Sequence, residues 1–478
     1  MKKRILYIVY EQGNFQLGRL LAEQGRATGE FDVVLWSPYA LPAGRQFKEE
    51  ALLAHSVYVE EYTLDGGLAD IHGTLSSWLS GKPERLPVSE SGLGWRWSAW
   101  KAQRSARDML GKVDEMERQA ILRSADRNLR RIAFCEDWLV RLGVDAVVFP
   151  EDNVERDSFA WLAAARRRAI RTVVSTYGAL SPTEAENAYK HSGSHAVAEP
   201  YLALFRRYLP KWLAEDPDYA ITRLPWREVL GRELIGETPF NPWLVNTGRS
   251  DVIALESRAM EESYLALGFK PESLKAAGHP LHDKLAAGRD RKTERRTILA
   301  ERHGLDPNKP LLVSAVPPDQ FSTRSSEFAS FADLAAAFYR VPANTVDVNV
   351  VVSPHPSLSE TQIAAMEAAG AHVERTSVAE LLPLADLYLA SVSSTIKWAL
   401  ALGIPVIDFD CYRYGYGDYR DLQQVLSVSS MAELQEALAL WQDPGARERL
   451  TVAARDGASL WGIIDGSAME RLVALCLN

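Results

Sequence analysis

Short, continuously apolar segments alternate with helical patterns along this chain, and this alternation constrains its fold more than any other feature. The run RILYIVY, Arg4 to Tyr10, has the length of a strand and is apolar throughout, as expected of a strand covered on both faces. A loop and a helical pattern follow it, and then a second strand pattern, FDVVLWSP. The same order recurs from GVDAVVFPEDN to RTVVSTYG. We therefore predict βαβ units that build a parallel sheet wrapped by helices.

The same alternation restarts in the second half of the chain, after a polar, charge-rich segment. This segment, Asp283 to Thr293, has the composition of an exposed linker between domains. Beyond it, strand patterns such as PLLVSAVPP and VDVNVVVSPHP alternate with helical patterns. We predict two open α/β domains in series, residues 1–283 and 284–478, with a cleft between them. The last helix is expected to pack back on the first domain.

A less regular region near residues 87–131 is predicted to be a helical insertion in the first domain. It contains three closely spaced tryptophans, Trp95, Trp97 and Trp100. One interpretation is that these side chains stack on a sugar or lie against a membrane surface. The other is that they pack the insertion onto its domain, which is what large aromatic side chains usually do.

The composition excludes several classes of protein. Apolar residues make up 47% of the 478 residues, which is enough for large cores and for a chain of roughly two to three domains. A net charge of −9 without a long basic block argues against a nucleic-acid partner. Cys135, Cys411 and Cys476 are far apart and lack metal-ligand spacing, so neither a disulfide framework nor a zinc site is predicted.

The segments that would direct a chain to a membrane are also missing from the pattern. The first apolar run stops at Glu11 without a cleavage site of small residues, unlike a signal peptide. No later run reaches the roughly 18 apolar residues of a membrane span. We expect a cytoplasmic protein whose membrane contact, where it has one, is peripheral at the inner face.

Polar residues directly after the strands of the second domain are the main candidates for binding. Ligands of open α/β sheets bind beyond the carboxyl ends of the strands, so these residues are expected to line one rim. Hydroxyls beside the unpaired N–H groups of a helix start favour a bound phosphate. A histidine on the same rim would donate to a phosphate oxygen and, when protonated, offset charge on a leaving group. The candidates are His355, Pro356, Ser391, Ser393, Ser394 and Thr395.

Each of these features has a simpler interpretation. Ser393 or Ser394 would serve only as a helix N-cap, a role that serine often fills. His355 would be a structural or merely polar loop residue. The phosphate-site interpretation rests on both features falling on the same predicted rim.

The motif SPHP, Ser353 to Pro356, and the later SVSSTIKWALALGIPVI resemble the His-Pro and Ser-Ser motifs of a known group of enzymes. These are bacterial glycosyltransferases that use CMP-activated acidic sugars: sialyltransferases, polysialyltransferases and capsule Kdo transferases. The resemblance is specific from Val348 to Asp410 and architectural elsewhere, where the turn AAGHPLHDKL is similar to the end of a GT-B N-terminal domain. A similar pairing occurs in CDP-glycerol phosphotransferases, and UDP-GlcNAc 2-epimerases share the fold.

The resemblance implies the GT-B architecture: two Rossmann-like domains whose parallel sheets face each other across a cleft, with the donor nucleotide held mainly by the C-terminal one. It implies that His355 contacts the donor phosphate and helps the nucleotide to leave, while Ser393 and Ser394 hold the same phosphate. No cofactor or divalent metal is required in that scheme, and no DxD-type metal motif is present. Glu374 or Glu380 would hold ribose hydroxyls, or either is a solvated surface charge.

Two further features follow from the expected chemistry. Glycosyl transfer passes through an oxocarbenium-like state, so a carboxylate is needed to deprotonate the acceptor hydroxyl or to attack the anomeric carbon. Asp152 is the first candidate and Glu151 its neighbour, since both directly follow an apolar strand, and Glu11 is next. One of them would alternatively cap the following helix.

The tyrosine-rich segment DFDCYRYGYGDY would clamp a base or sugar, or pack against the other domain.

The resemblance thus implies a transferase that moves a sugar from a nucleotide donor to a glycan or lipid-linked acceptor in bacterial surface polysaccharide assembly. The donor that it implies is an acidic CMP-activated sugar such as Kdo or another nonulosonic acid. The alternatives are a CDP-polyol phosphotransferase, a UDP-sugar transferase or epimerase, and a non-catalytic nucleotide-sugar-binding protein. The acceptor, the linkage, the anomeric outcome and the oligomeric state stay open.

Overall fold

The computed structural model describes residues 2–10, 12–36, 93–176 and 182–478. The chain divides into two compact units. Unit 1 comprises Met1–Ala254, Gly268–Lys275 and Leu472–Asn478, and unit 2 comprises Leu255–Leu267 and Ala276–Arg471. The chain therefore first leaves unit 1 at Leu255, well before the predicted boundary at residue 283.

Unit 1 is built on a six-stranded sheet in the order β2-β1-β3-β4-β7-β8, with a separate antiparallel hairpin of β5 and β6. Strand β1 pairs in parallel with both β2 and β3, and β4 pairs in parallel with both β3 and β7. This confirms the predicted parallel sheet. The strands are β1 (Lys3–Ile8), β2 (Phe31–Trp36), β3 (Ala146–Phe149), β4 (Arg171–Ser175), β5 (Leu213–Asp216), β6 (Tyr219–Thr222), β7 (Val252–Leu255) and β8 (Leu274–Ala276).

Long helices occupy the region predicted to be an insertion. Within residues 12–36, 93–176 and 182–234, the helices are α1 (Gln12–Thr28), α2 (Leu93–Leu110), α3 (Glu115–Leu142), α4 (Ser158–Arg167), α5 (Pro182–Tyr189), α6 (Tyr201–Tyr208) and α7 (Trp226–Leu234). Asp114 caps the N-terminus of α3, where its side chain accepts the N–H of Glu117 at 2.9 Å, and Gly143, with φ 58°, caps the C-terminus. On α2, the Trp100 side chain is 47% exposed. The side chains of Trp95 and Trp97 lie outside the described residues.

Unit 2 is built on a five-stranded sheet in which every neighbouring pair is parallel, in the order β10-β9-β11-β12-β13. A parallel bridge from Val352 to Val373 adds a further extended segment outside β10. Counted in chain order, this gives the strand order 3-2-1-4-5-6 of the doubly wound Rossmann sheet. The strands are β9 (Leu311–Val316), β10 (Asn349–Pro354), β11 (Leu387–Ala390), β12 (Val406–Phe409) and β13 (Val425–Val428).

Helices cover both faces of the unit 2 sheet and bury the apolar side chains of its strands. Leu312 and Val352 pack into one core, and Val313 and Val351 pack into another, because successive side chains of a strand point to opposite faces. The helices are α8 (Arg258–Ala266), α9 (His282–Asp290), α10 (Lys292–His303), α11 (Phe331–Thr345), α12 (Glu360–Ala368), α13 (Val378–Leu381), α14 (Ile396–Ala401), α15 (Met431–Gln442), α16 (Pro444–Trp461) and α17 (Ala468–Leu477).

The segment predicted to be an exposed linker is instead helical, forming α9 and the start of α10. Its charged residues cover the solvent side, while Leu285 and Leu299 are buried in the core of unit 2. Asp283 accepts the N–H groups of Ala468 and Met469 at 2.8 and 2.9 Å, at the start of α17. The last residues of α17, from Leu472, belong to unit 1.

Two buried histidines lie at the start of α9: His279 precedes the helix and His282 is its first residue. The Leu281 N–H donates to His279 Nδ1 at 3.1 Å, and the His279 N–H donates to His282 Nδ1 at 3.3 Å, so the neutral rings carry their protons on Nε2. Burial lowers the pKa of His282 and lowers that of His279 well below its ordinary value. Beside them, Lys397 forms a buried ion pair with Glu256. A protonated ring here would lie in a desolvated environment, next to the Lys397 ammonium.

We predict that unit 2 loses stability as the pH falls below about 6.5, the ordinary histidine pKa. Below that pH the unfolded chain binds more protons at His279 and His282 than the folded chain does, so the free energy of unfolding decreases by at most about 1.4 kcal/mol per pH unit for each histidine. Urea unfolding between pH 7.5 and 5.5 measures this slope. In His279→Asn the slope is expected to be smaller than in the wild type, and an unchanged slope would contradict the assignment.

Candidate functional site

The strand order of unit 2 places the predicted binding residues along one edge of its sheet. The order reverses between β9 and β11, and in open α/β sheets the ligand crevice lies beyond the carboxyl ends of the strands at such a point. Strand β9 ends at Val316, whose carbonyl accepts the N–H of His355 at 3.1 Å. His355 and Pro356 therefore lie beside the end of β9, and the Ser391–Thr395 loop follows β11 on its other side.

The ring of His355 is held in a defined tautomer. The Ser357 N–H donates to its Nδ1 at 3.2 Å, and the Ser357 hydroxyl lies 2.7 Å from the same nitrogen. The neutral ring therefore carries its proton on Nε2, which has no hydrogen-bond partner among the described residues. Desolvation lowers the pKa of His355, although the residue as a whole is exposed. Near neutral pH, His355 offers an N–H donor rather than a positive charge.

The Ser391–Thr395 loop joins β11 to α14. The Ser393 hydroxyl accepts the N–H of Thr395 at 3.3 Å and lies 2.8 Å from the Thr395 hydroxyl, while Ser391 Oγ lies 3.2 Å from Cys411 Sγ. The Ser394 hydroxyl makes no hydrogen bond within the described part of the chain. Neither serine is the N-cap of α14, since that position belongs to Thr395, which makes no side-chain cap. Because α14 has only six residues, its dipole would add little to the binding of a phosphate. The hydrogen-bond donors would come from the loop itself.

An unusual backbone conformation lies at the centre of this loop. Val392 has φ 44°, in the left-handed region that β-branched residues avoid. Its N–H donates to Asp408 Oδ1 at 2.8 Å. Burial raises the pKa of Asp408 to about 6, and the neighbouring Asp410 and Asp418 add to the effect. Asp408 was not among the candidates predicted from the sequence, although its position near the end of an apolar strand pattern is a usable signal.

The tyrosine-rich segment after β12 packs against the loop after β9 in the same unit. The Gln320 N–H donates to Tyr412 Oη at 3.1 Å, and the Tyr412 hydroxyl donates to the Pro318 carbonyl at 2.9 Å. Ser326 Oγ donates to the Cys411 carbonyl at 2.8 Å. These contacts order both loops around the crevice. Clamping of a base or sugar and packing against the other domain both stay predictions for this segment.

The two glutamates considered for ribose binding are both paired within unit 2. Glu374 is buried and pairs with Arg302, and His303 Nε2 lies 3.6 Å from its carboxylate. Glu380 lies 3.3 Å from Arg295. These pairs give each carboxylate a structural role, and ribose binding stays a prediction.

In unit 1, Asp152 ties together two segments of the chain. The residue is 1% exposed, and its carboxylate accepts the N–H of Arg249 at 3.0 Å and that of Thr247. Burial raises the pKa of Asp152. Because both carboxylate oxygens hold buried backbone N–H groups, the structure gives Asp152 a structural role, and its predicted catalytic role requires a further test.

Glu151 lies in a more open position beside the end of β1. Its carboxylate is 19% exposed and lies 3.0 Å from Arg156, whose guanidinium lies over the Tyr10 ring, 5.4 Å from its centroid. Tyr10 is buried, and desolvation raises its pKa well above the ordinary value. Glu11, the remaining carboxylate candidate, lies outside the described residues. Of the described candidates, Glu151 is the carboxylate that retains access to solvent.

Metal ligands, membrane spans and surface depressions are the remaining features of residues 2–10, 12–36, 93–176 and 182–478. In these ranges no three His, Cys, Asp or Glu side chains lie together as the ligands of a metal ion would. No helix among them is long and apolar enough to cross a membrane.

A depression of about 460 Å³ at the amino-terminal edge of the unit 2 sheet is lined by Arg296 and Asp386, which pair with each other at 2.8 Å. It lies at the edge where ligands of open α/β sheets do not bind.

Comparison with known proteins adds no family assignment. No protein-family model matches the sequence, and no curated protein matches it. Among solved structures, the chain is similar to UDP-GlcNAc 2-epimerase from Neisseria meningitidis bound to UDP-GlcNAc, with 11% identity, 98% of each chain covered and a TM-score of 0.49. It is also similar to a glycosyltransferase from Rickettsia africae ESF-5, with 9% identity, 99% of this chain and 98% of that one covered, and a TM-score of 0.46.

A third similar structure is that of the wall teichoic acid polymerase TagF, with 11% identity, 99% of this chain and 88% of that one covered, and a TM-score of 0.49. At TM-scores below 0.5, these likenesses carry no argument about function. The fold class, α/β with two parallel sheets, is confirmed by the strand pairing itself.

We predict that Asp152→Ala destabilises unit 1 far more than Glu151→Ala. Removing the Asp152 carboxylate leaves the buried N–H groups of Thr247 and Arg249 without their acceptor, which costs about 1–3 kcal/mol for each group. Removing Glu151 breaks a partly exposed ion pair with Arg156, worth less than about 1 kcal/mol. Urea unfolding of the two variants measures the difference. Equal losses would show that the Asp152 hydrogen bonds do not stabilise the fold.

Proposed function

We propose that this protein is a glycosyltransferase that takes a sugar from a nucleotide donor and binds the donor phosphate at the carboxyl edge of the unit 2 sheet. One observation carries the proposal: His355 and the Ser391–Thr395 loop flank the end of β9, where the strand order reverses. Backbone N–H groups, a serine hydroxyl and an imidazole N–H at such a point are suitable donors to phosphate oxygens.

His355 would act first as a hydrogen-bond donor. Its ring is neutral at pH 7 because desolvation lowers its pKa, and its proton resides on Nε2. A bound phosphate brings negative charge next to the ring, which raises the pKa and favours the imidazolium. The positive charge would then stabilise the nucleotide phosphate as it leaves. Ser394, whose hydroxyl has no partner in the described residues, would donate to the same phosphate.

The proposed donor is a CMP-activated acidic sugar such as Kdo or another nonulosonic acid. The support is the resemblance of the segment from Val348 to Asp410 to enzymes that use such donors. The acceptor would be a glycan or a lipid-linked saccharide of the bacterial surface, with any membrane contact peripheral. For activation of the acceptor hydroxyl or attack on the sugar, we place Glu151 ahead of Asp152, because both oxygens of Asp152 already accept backbone hydrogen bonds.

We predict that CMP stabilises the protein more than CDP, UDP or GDP in a thermal-shift titration. A ligand that binds only the folded state adds about 2.7 kcal/mol at a hundred times its dissociation constant. The stabilisation is expected to be weaker in His355→Ala and in Ser394→Ala, which remove the proposed donors. Ser194→Ala, which removes an exposed hydroxyl of unit 1, is the matched control and should respond to CMP as the wild type does.

The other outcomes separate the alternatives. Selective stabilisation by UDP or GDP would retain a nucleotide site and reject the acidic-sugar donor. A phosphodiester product with release of CMP would identify a polyol phosphotransferase. Donor binding without turnover, unaffected by changes at Glu151 or Asp152, would identify a non-catalytic binding protein. If no nucleotide stabilises the protein, the proposed phosphate site is wrong.

A further inference from the structure

The backbone of Val392 is held in a conformation that its side chain opposes. Three non-glycine residues of the described ranges have positive φ, and Val392 is the β-branched one, with φ 44°. In this region the Cβ of an L-residue approaches the following carbonyl, and a branched side chain makes the crowding worse. Such a conformation persists only when the surrounding structure imposes it.

The backbone of Val392 is hydrogen-bonded to the carboxylate of Asp408. Asp408 lies on β12, and its residue pair in the parallel register is Ala390 at the end of β11. From there its Oδ1 accepts the N–H of Val392 at 2.8 Å. An ionised carboxylate is a strong acceptor for a backbone N–H. Val392 lies two residues beyond Ala390, the last residue of β11 that pairs with β12.

The conformation of Val392 determines the direction of the residues on either side. Ser391 and Ser393 flank it, and Ser393 in turn engages Thr395 through two contacts of its hydroxyl. If Val392 rotated to negative φ, the peptide units on both sides would turn. The N–H groups and hydroxyls of the loop would then point in other directions.

We propose that Asp408 is a positioning residue, which holds the Ser391–Thr395 loop in the conformation that binds the donor phosphate by accepting the Val392 N–H. The phosphate ligand in this proposal rests on the proposed function. The hydrogen bond from Val392 to Asp408 and the backbone conformation of Val392 do not depend on that function. Asp408 does not contact the phosphate in this scheme. It acts through Val392.

The charges around Asp408 support a specific role for it. Burial and the nearby carboxylates Asp410 and Asp418 raise its pKa to about 6. The other titratable groups that interact with it, Tyr388, Cys411 and Tyr419, are also acids. A carboxylate that is ionised at neutral pH despite this environment is maintained at an electrostatic cost, which is typical of functional sites.

A double-mutant cycle tests the proposal. Glycine adopts positive φ without crowding. In Val392→Gly the loop would therefore reach this conformation without the hydrogen bond to Asp408. We predict that Asp408→Ala weakens binding of CMP by about tenfold when Val392 is present, because a hydrogen bond to a charged group is lost. In the Val392→Gly background the same change should weaken binding less than about threefold, because glycine keeps the conformation accessible. Isothermal titration calorimetry measures the four dissociation constants.

Amide hydrogen exchange without nucleotide provides a second readout. Exchange in peptides that cover residues 387–398 is expected to rise in Asp408→Ala and to be restored largely by Asp408→Asn, which keeps an acceptor oxygen. Asp306→Ala, at the opposite edge of the sheet, is the matched control and should leave exchange in these peptides at the wild-type level.

The outcomes distinguish this proposal from the proposed function. Equal weakening by Asp408→Ala in both backgrounds, or unchanged exchange in residues 387–398, would overturn the positioning role. If no variant and no wild-type protein binds a nucleotide, the proposed function fails and with it the phosphate ligand. The exchange measurements then still decide whether Asp408 imposes the loop conformation.

Discussion

The parallel pairing of β9 with both β10 and β11 is the constraint on which the candidate site depends. Parallel strands end at the same edge of the sheet, so the chain segments that follow them meet there whatever their separation in sequence. This brings His355 to the carbonyl of Val316 and places the Ser391–Thr395 loop on the other side of β9. The loops after β9 and β12 are then joined by the Tyr412 hydroxyl. The crevice is a product of strand order.

Both units use a carboxylate at the end of a strand to hold backbone N–H groups of a neighbouring segment. Asp152 follows β3 and accepts the N–H groups of Thr247 and Arg249, and Asp408 lies near the end of β12 and accepts the N–H of Val392. Burial raises the pKa of both carboxylates. A carboxylate in such a position satisfies backbone donors that would otherwise lack a partner, which is a structural reason for its presence. Position after a strand therefore does not by itself identify a catalytic acid or base.

Local patterns were misleading where charged residues were common. The segment from Asp283 to Thr293 has the composition of a linker, yet Leu285 and Leu299 anchor its helices in a core. A helix that buries a few apolar residues and exposes many charged ones has a weak periodic signal. Its helical state is decided by the surface on which those few residues pack. For the same reason, the chain leaves unit 1 at a point that composition does not reveal.

The sequence by itself determined the α/β class and the parallel sheets, because the periodicities of strands and helices are local. It also determined the sheet edge on which His355 and the Ser391–Thr395 loop lie, because that edge follows from strand direction. Only the tertiary structure decided the strand order, the engagement of Asp152 and the pairing of Asp408 with Val392. These depend on which distant segments become neighbours and on backbone angles such as the φ of 44° at Val392. No local pattern of residue types specifies them.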